Sequence, residues 1–133
     1  AGAARPRALR CSSLLPVALR ASPCPRLVAG PAVRRAIYPL SDAAQRRLWR
    51  ESALLSRTLM RAFNGDKLNL AALGNMVPQL HLHHIVRYQT DAVWPAPVWG
   101  RVPPNPYSVS AAAERMAQLK QALSSAAMPL SPV

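Results

Sequence analysis

From Gln79 to Tyr88 the chain reads Gln-Leu-His-Leu-His-His-Ile-Val-Arg-Tyr, an apolar-polar alternation that only a β-strand can sort into two faces. Leu80, Leu82, His84 and Val86 fall on one face. Gln79, His81, His83 and Ile85 fall on the other. With Leu80 and Leu82 turned to a core, His81 and His83 face outward into whatever covers them, about 6.6 Å apart along the strand, while His84 points away. Upstream, Lys67–Leu73 reads as a second strand, with Leu68 and Leu70 on one face and Asn69 on the other. Gly74 and Asn75 turn the chain and Pro78 precedes the histidines, so the two strands make an antiparallel hairpin.

Helices are predicted on either side of this hairpin. Ser41 is a suitable N-cap, and Asp42 places a carboxylate at the positive end of the helix. Ala44, Leu48, Leu55, Leu59 and Ala62 then recur at helical spacing, with Arg46, Arg50, Arg57 and Arg61 on other faces, which predicts a helix over 42–62. Asn64-Gly65-Asp66 is a turn by composition. After a proline-rich loop over 91–106, a second helix is predicted over 110–123, capped by Ser110 and presenting Met116, Leu119 and Leu123. The fold class is therefore α+β, an antiparallel sheet with two flanking helices.

The first 36 residues hold seven arginines and no acid, and five prolines interrupt them. They read as a basic, poorly ordered arm, as an organellar presequence, or as a start altered by a frame error in a GC-rich gene; fifteen arginines against two lysines suit the last. The expected organisation is thus an arm over 1–36, a domain over 37–123 and a frayed tail over 124–133. Within the arm, 13–19 and 27–29 are apolar enough to pair as edge strands. Of the formal charge of +12, +5 belongs to residues 37–133, a mild field that favours an anionic ligand without singling out nucleic acid. Two cysteines, both in the arm, do not make a disulfide framework and point to a reducing, cytoplasmic setting. No apolar run is long enough to span a membrane.

Chemistry concentrates between Gly74 and Gly100, which holds all three histidines and two of the three tryptophans. Neutral imidazole is both nucleophile and proton carrier. Two in register can divide the work, one attacking and the other binding the oxygen that gains charge. A His-x-His pair on a strand equally suits a zinc or iron site, although a third ligand is hard to find: Asp66 and Asp91 sit at turns. Hydrogen-bonded histidines without chemistry are the remaining reading. Trp94 and Trp99 serve either to stack on a base or to pin the proline-rich loop, and Arg87 either meets an anion or is solvated.

The segment GNMVPQLHLHHIVR resembles the signature of the histidine triad (HIT) family of nucleotide hydrolases and transferases, in a bacterial branch with Gln in place of the first histidine. The resemblance covers about 37–123. It implies that His81 is the central histidine, which attacks the α-phosphate to form a covalent nucleotidyl intermediate, and that His83 contacts the phosphate oxygens. Gln79 stands in the place of the first histidine, Asn75 in that of the glutamine that touches the bridging atom, and Asn69 in that of an asparagine on the preceding strand. The segment 91–97 resembles the Trp-Pro stretch that follows the triad.

The activity this implies is cleavage of a phosphoanhydride or phosphoramidate bond in a dinucleoside polyphosphate or a nucleoside phosphoramidate. It requires no cofactor, with Mg²⁺ accompanying polyphosphate substrates. It implies a nucleotide as partner, admits a homodimer, and assigns no role to membrane or nucleic acid. Two features depart from the pattern: Gln79 cannot change charge near pH 7, and no acid precedes Asp42 to hold ribose hydroxyls. The alternatives are a nucleotide-binding protein that has lost turnover and a metal-binding protein built on the His-x-His strand.

Overall fold

The histidine strand lies inside a four-stranded antiparallel sheet. The computed structural model describes residues 10–14, 25–28, 35–76, 78–100 and 108–125. Along the chain the elements are β1 (Arg10–Leu14), β2 (Pro25–Val28), α1 (Asp42–Phe63), β3 (Lys67–Ala71), β4 (His81–Arg87) and α2 (Val109–Ser125). The sheet order is β1-β2-β4-β3. The fold is α+β, as expected.

The segment expected to be an arm supplies two strands of this sheet. β1 and β2 pair with each other, and β2 also pairs with β4 through Arg26↔His83, Leu27↔Leu82 and Val28↔His81. A boundary at residue 36 would cut through this ladder. Of the prolines that argued against an interior strand, Pro25 is accommodated by its position. Pro25 is the first residue of β2 and stands opposite Leu14 of β1, while the pairing with β4 begins one residue later. Residues 1–9, 15–24, 29–34, 101–107 and 126–133 lie outside the described residues, and with them most of the predicted arm, part of the proline-rich loop and most of the predicted tail.

The helix over 42–63 forms as its sequence dictates. Ser41 Oγ accepts the Ala44 amide at 3.2 Å, and Asn64 closes the helix in the left-handed region at φ 50°. Leu48, Ser52, Leu55, Thr58, Leu59 and Phe63 are its buried residues. Phe63, rather than the exposed Ala62, completes the stripe. The cap of α2 stands two residues before the predicted one: Ser108 Oγ, not that of Ser110, accepts the Ala111 amide. Leu119 and Leu123 are buried, as their spacing predicts.

Both helices contribute to one core. Leu48, Leu55, Leu59 and Phe63 of α1 and Leu119 and Leu123 of α2 pack with Leu80, Leu82 and Val86 from β4 and the residue before it. Each such side chain stabilises the fold by about 1.5–3 kcal/mol. The helices thus occupy one face of the sheet, and the segment 91–100 returns across the other. That return begins at the end of β4, where Tyr88 Oη donates to the Phe63 carbonyl at 2.6 Å. This satisfies a carbonyl in the last turn of α1 that has no partner within the helix.

The β3–β4 hairpin is entered through a turn in which only glycine fits. A Cβ on Gly65 would collide with Val86 Cγ1 and lie 3.0 Å from Met60 Sδ, and Val86 is fully buried. The hairpin register is set next to it, by the Asp66 amide donating to the Arg87 carbonyl and by Lys67↔Arg87 through Ala71↔His83. Gly65→Ala therefore costs about 1–3 kcal/mol of stability through overpacking. Chemical denaturation of the two proteins checks this, and an unchanged midpoint would show that the turn can yield.

Candidate active site

Strand alternation places the histidines as expected on opposite faces. His84 looks into the helical core with no exposed surface. Its Nδ1–H donates to the Leu82 carbonyl at 3.2 Å, and its Nε2 accepts from Ser52 Oγ of α1 at 2.8 Å. Ser52 lies one turn from Leu48 on the buried stripe of α1. A polar residue in that register signals that a partner must face it, a signal the sequence contains but the alternation of β4 alone does not interpret.

Burial holds the His84 pKa at about 4, with the hydrogen bond to Leu82 opposing the shift and His83 adding to it. A histidine whose folded pKa is depressed binds its proton more readily in the unfolded chain. Its contribution to stability is therefore complete above about pH 6.5 and is lost as pH falls towards 4. The loss amounts to about 3 kcal/mol. Urea titrations at pH 7 and pH 4.5 should show it, and His84→Leu should flatten it. A His84→Leu protein with the native pH dependence would place the titration elsewhere.

On the opposite face, His81 and His83 are not open to solvent. They are 8 % and 6 % exposed, on a strand flanked by β2 and β3, and the 91–100 segment reaches His83 through Trp99. Their ring centroids are 4.8 Å apart with planes at 72°, so the two imidazoles are in direct edge-to-face contact. His81 Nδ1 lies 2.7 Å from the carbonyl oxygen of Gln79. That oxygen can only accept, so Nδ1 carries the proton and the Nε2 lone pair is left for reaction. Gln79 thus serves His81 through its main chain, a contact independent of its side-chain type.

The other side of His83 meets Trp99, whose ring centroid is 5.5 Å away at 73°. Trp99 is 37 % exposed, so it meets His83 while keeping part of its surface accessible. Trp94, joined to Pro95 by a cis peptide bond, lies instead against the Arg87 guanidinium, 5.6 Å from its centroid.

Arg87 is neither solvated nor presented to an anion. It is 1 % exposed, and each of its three nitrogens donates a hydrogen bond: Nε to Asp91 Oδ2 at 2.7 Å, Nη1 to Asn69 Oδ1 at 2.8 Å and Nη2 to the Ala96 carbonyl at 2.9 Å. Asp91 Oδ2 also accepts the Tyr88 amide. Asn69 shares the face of Ile85, opposite it in the ladder, and its carboxamide oxygen is engaged by Arg87. Asn75 lies in the exposed connection between β3 and β4. Of the five candidate residues, the structure brings His81, His83 and the Gln79 carbonyl together, ties Asn69 to the loop clamp, and leaves Asn75 on the exposed turn. Among the described residues no group of three or more His, Cys, Asp or Glu is placed to hold a metal ion.

An interior strand with two same-face imidazoles, one of them met by Trp99, can be compared with known proteins. The family model of the HIT domain matches residues 22–90, which include β2 and extend the match into the segment the sequence left outside. The chain belongs to the histidine triad family. Its backbone is similar to that of a histidine triad protein from Marinobacter aquaeolei VT8, with 46 % identity over 86 % of this chain and 90 % of that one and a TM-score of 0.74. It is also similar to histidine triad proteins from Bradyrhizobium japonicum (36 % identity, 81 % and 79 % covered, TM-score 0.73) and Sinorhizobium meliloti 1021 (33 %, 79 % and 78 %, 0.73). No curated protein sequence matches. Among the described residues no helix is long and apolar enough to cross a membrane.

Proposed function

We propose that this histidine triad protein is a nucleotide hydrolase or nucleotidyl transferase that cleaves phosphoanhydride or phosphoramidate bonds, in dinucleoside polyphosphates or nucleoside phosphoramidates, through a covalent nucleotidyl intermediate on His81. The observation that carries this reading is the 2.7 Å contact between His81 Nδ1 and the Gln79 carbonyl, which commits the Nε2 lone pair to attack. Nε2 forms a bond to the α-phosphorus, the P–O or P–N bond to the leaving group breaks, and the leaving group departs with that electron pair. His83, in contact with the His81 ring, stabilises the charge on the non-bridging oxygens. Water then attacks the phosphorus: its oxygen forms the new P–O bond, the P–N bond breaks with its electron pair returning to Nε2, and the nucleoside monophosphate leaves with the imidazole restored. Asn75 would approach the bridging atom from the exposed turn. No step is routed through a metal; Mg²⁺ would neutralise a polyphosphate tail.

Adenosine phosphoramidate and a diadenosine polyphosphate, each incubated with the protein, test the reading. Adenosine monophosphate should be released, and an alkaline quench followed by intact mass measurement should show one added adenylyl group. Release at equal rates from native and His81→Ala proteins would rule the mechanism out. A nucleotide that binds without turnover would favour the non-catalytic alternative.

A further inference from the structure

We propose that Arg87 is a positioning residue for the histidine pair: with Asn69 and Asp91 it locks the 91–100 segment in the place from which Trp99 sets the orientation of His83. This rests on the reading of His83 given above. The geometry is specific. Arg87 stands four residues beyond His83 on the same face of β4, too far along the strand to share its ligand, and its guanidinium is already bonded through all three nitrogens.

Two of those bonds, to Asp91 and to the Ala96 carbonyl, fix the beginning and the middle of the segment. The third, to Asn69, fixes the guanidinium to the neighbouring strand. Trp94 packs against the same group. Downstream of these anchors, buried Val98 pins the segment once more, and Trp99 lands edge-on to His83. A fork of fixed donors can hold three acceptors in three directions at once, which an ammonium on a flexible stem cannot do. The clamp therefore sends its effect along the segment to an imidazole it does not touch.

The decisive variants are Arg87→Lys, which keeps the charge and loses the fork, and Asp91→Asn, which keeps the size and an acceptor oxygen. The imidazole C–H resonances of His83 report its position beside the Trp99 ring. Their displacement between native protein and Trp99→Ala defines the full effect of that ring. Arg87→Lys is expected to cover at least about half of it, with helical circular dichroism unchanged. With adenosine phosphoramidate as substrate, kcat should fall at least about tenfold while KM changes less than about threefold. Arg87→Lys combined with Trp99→Ala should be no worse than Trp99→Ala alone, because both act through one contact.

If Arg87→Lys fails to fold, Asp91→Asn decides by the same measurements. Native His83 resonances in a folded clamp variant would overturn the proposal, as would displaced resonances with an unchanged kcat. If the native protein turns over no nucleotide, the catalytic reading fails separately, and the His83 resonances still decide whether the clamp positions the ring.

Discussion

Replacing His81 with alanine should lower kcat by about 10⁴-fold or more, because in the proposed mechanism it removes the atom that forms the bond to phosphorus. The loss follows from where the proton sits. In the native protein the Gln79 carbonyl accepts from Nδ1–H, which leaves the lone pair on Nε2. His81→Asn can keep a donor towards that carbonyl yet offers no nucleophile, so it should be as inactive as alanine while folding more like the native chain. In the same mechanism His83→Ala removes charge stabilisation rather than the nucleophile, and its expected cost is smaller, about 10²–10³-fold. Rates with adenosine phosphoramidate, together with intact mass under single turnover, separate these cases. The adenylyl adduct should be absent from both His81 variants and form slowly in His83→Ala. An adduct of normal yield on His81→Asn would move the nucleophile to another residue.

Gln79→Ala sharpens this. Because His81 is held by the main-chain oxygen of residue 79, the tautomer survives loss of the carboxamide. Glutamine at position 79 therefore keeps the main-chain contact that orients His81. The residue that cannot change charge stands where the observed contact needs no side chain at all.

What could be read from the sequence followed the periodicity of each segment. Alternation over 80–86 placed His84 in the core and His81 and His83 opposite it, and the 3.6-residue spacing of Leu48, Leu55 and Leu59 located α1. Non-local features were not legible in this way. Pairing of β2 with β4 joins residues more than fifty positions apart, and nothing in Pro-Arg-Leu-Val announces an interior strand. Arg87 read as a solvated or anion-binding side chain because its three acceptors come from β3, a turn and a proline-rich segment. One of them, the carbonyl of Ala96, has no identity in the sequence at all. The same limit applied to solvent access at the histidines. Alternation fixes which face they occupy, but whether that face is open depends on the path of the loop.

Arg87→Met should destabilise the protein by about 3–5 kcal/mol, since it leaves Asp91 as a buried carboxylate without its cation. The side chains of the pair are 1 % and 4 % exposed, so water cannot take over the role of the guanidinium. Asn69 and the Ala96 carbonyl, both part-buried, lose this donor at the same time, which adds to the cost. Against a total of about 5–15 kcal/mol for a domain of this size, one substitution then threatens the fold. The cost should belong to the uncompensated charge rather than to the loss of attraction, and a double variant distinguishes the two. Arg87→Met with Asp91→Leu removes both charges and keeps apolar volume, so it should be more stable than Arg87→Met alone. Urea midpoints of the native, single and double variants measure this directly. A double variant less stable than Arg87→Met would mean that Asp91, through the Tyr88 amide it also accepts, holds the end of β4 independently of the arginine.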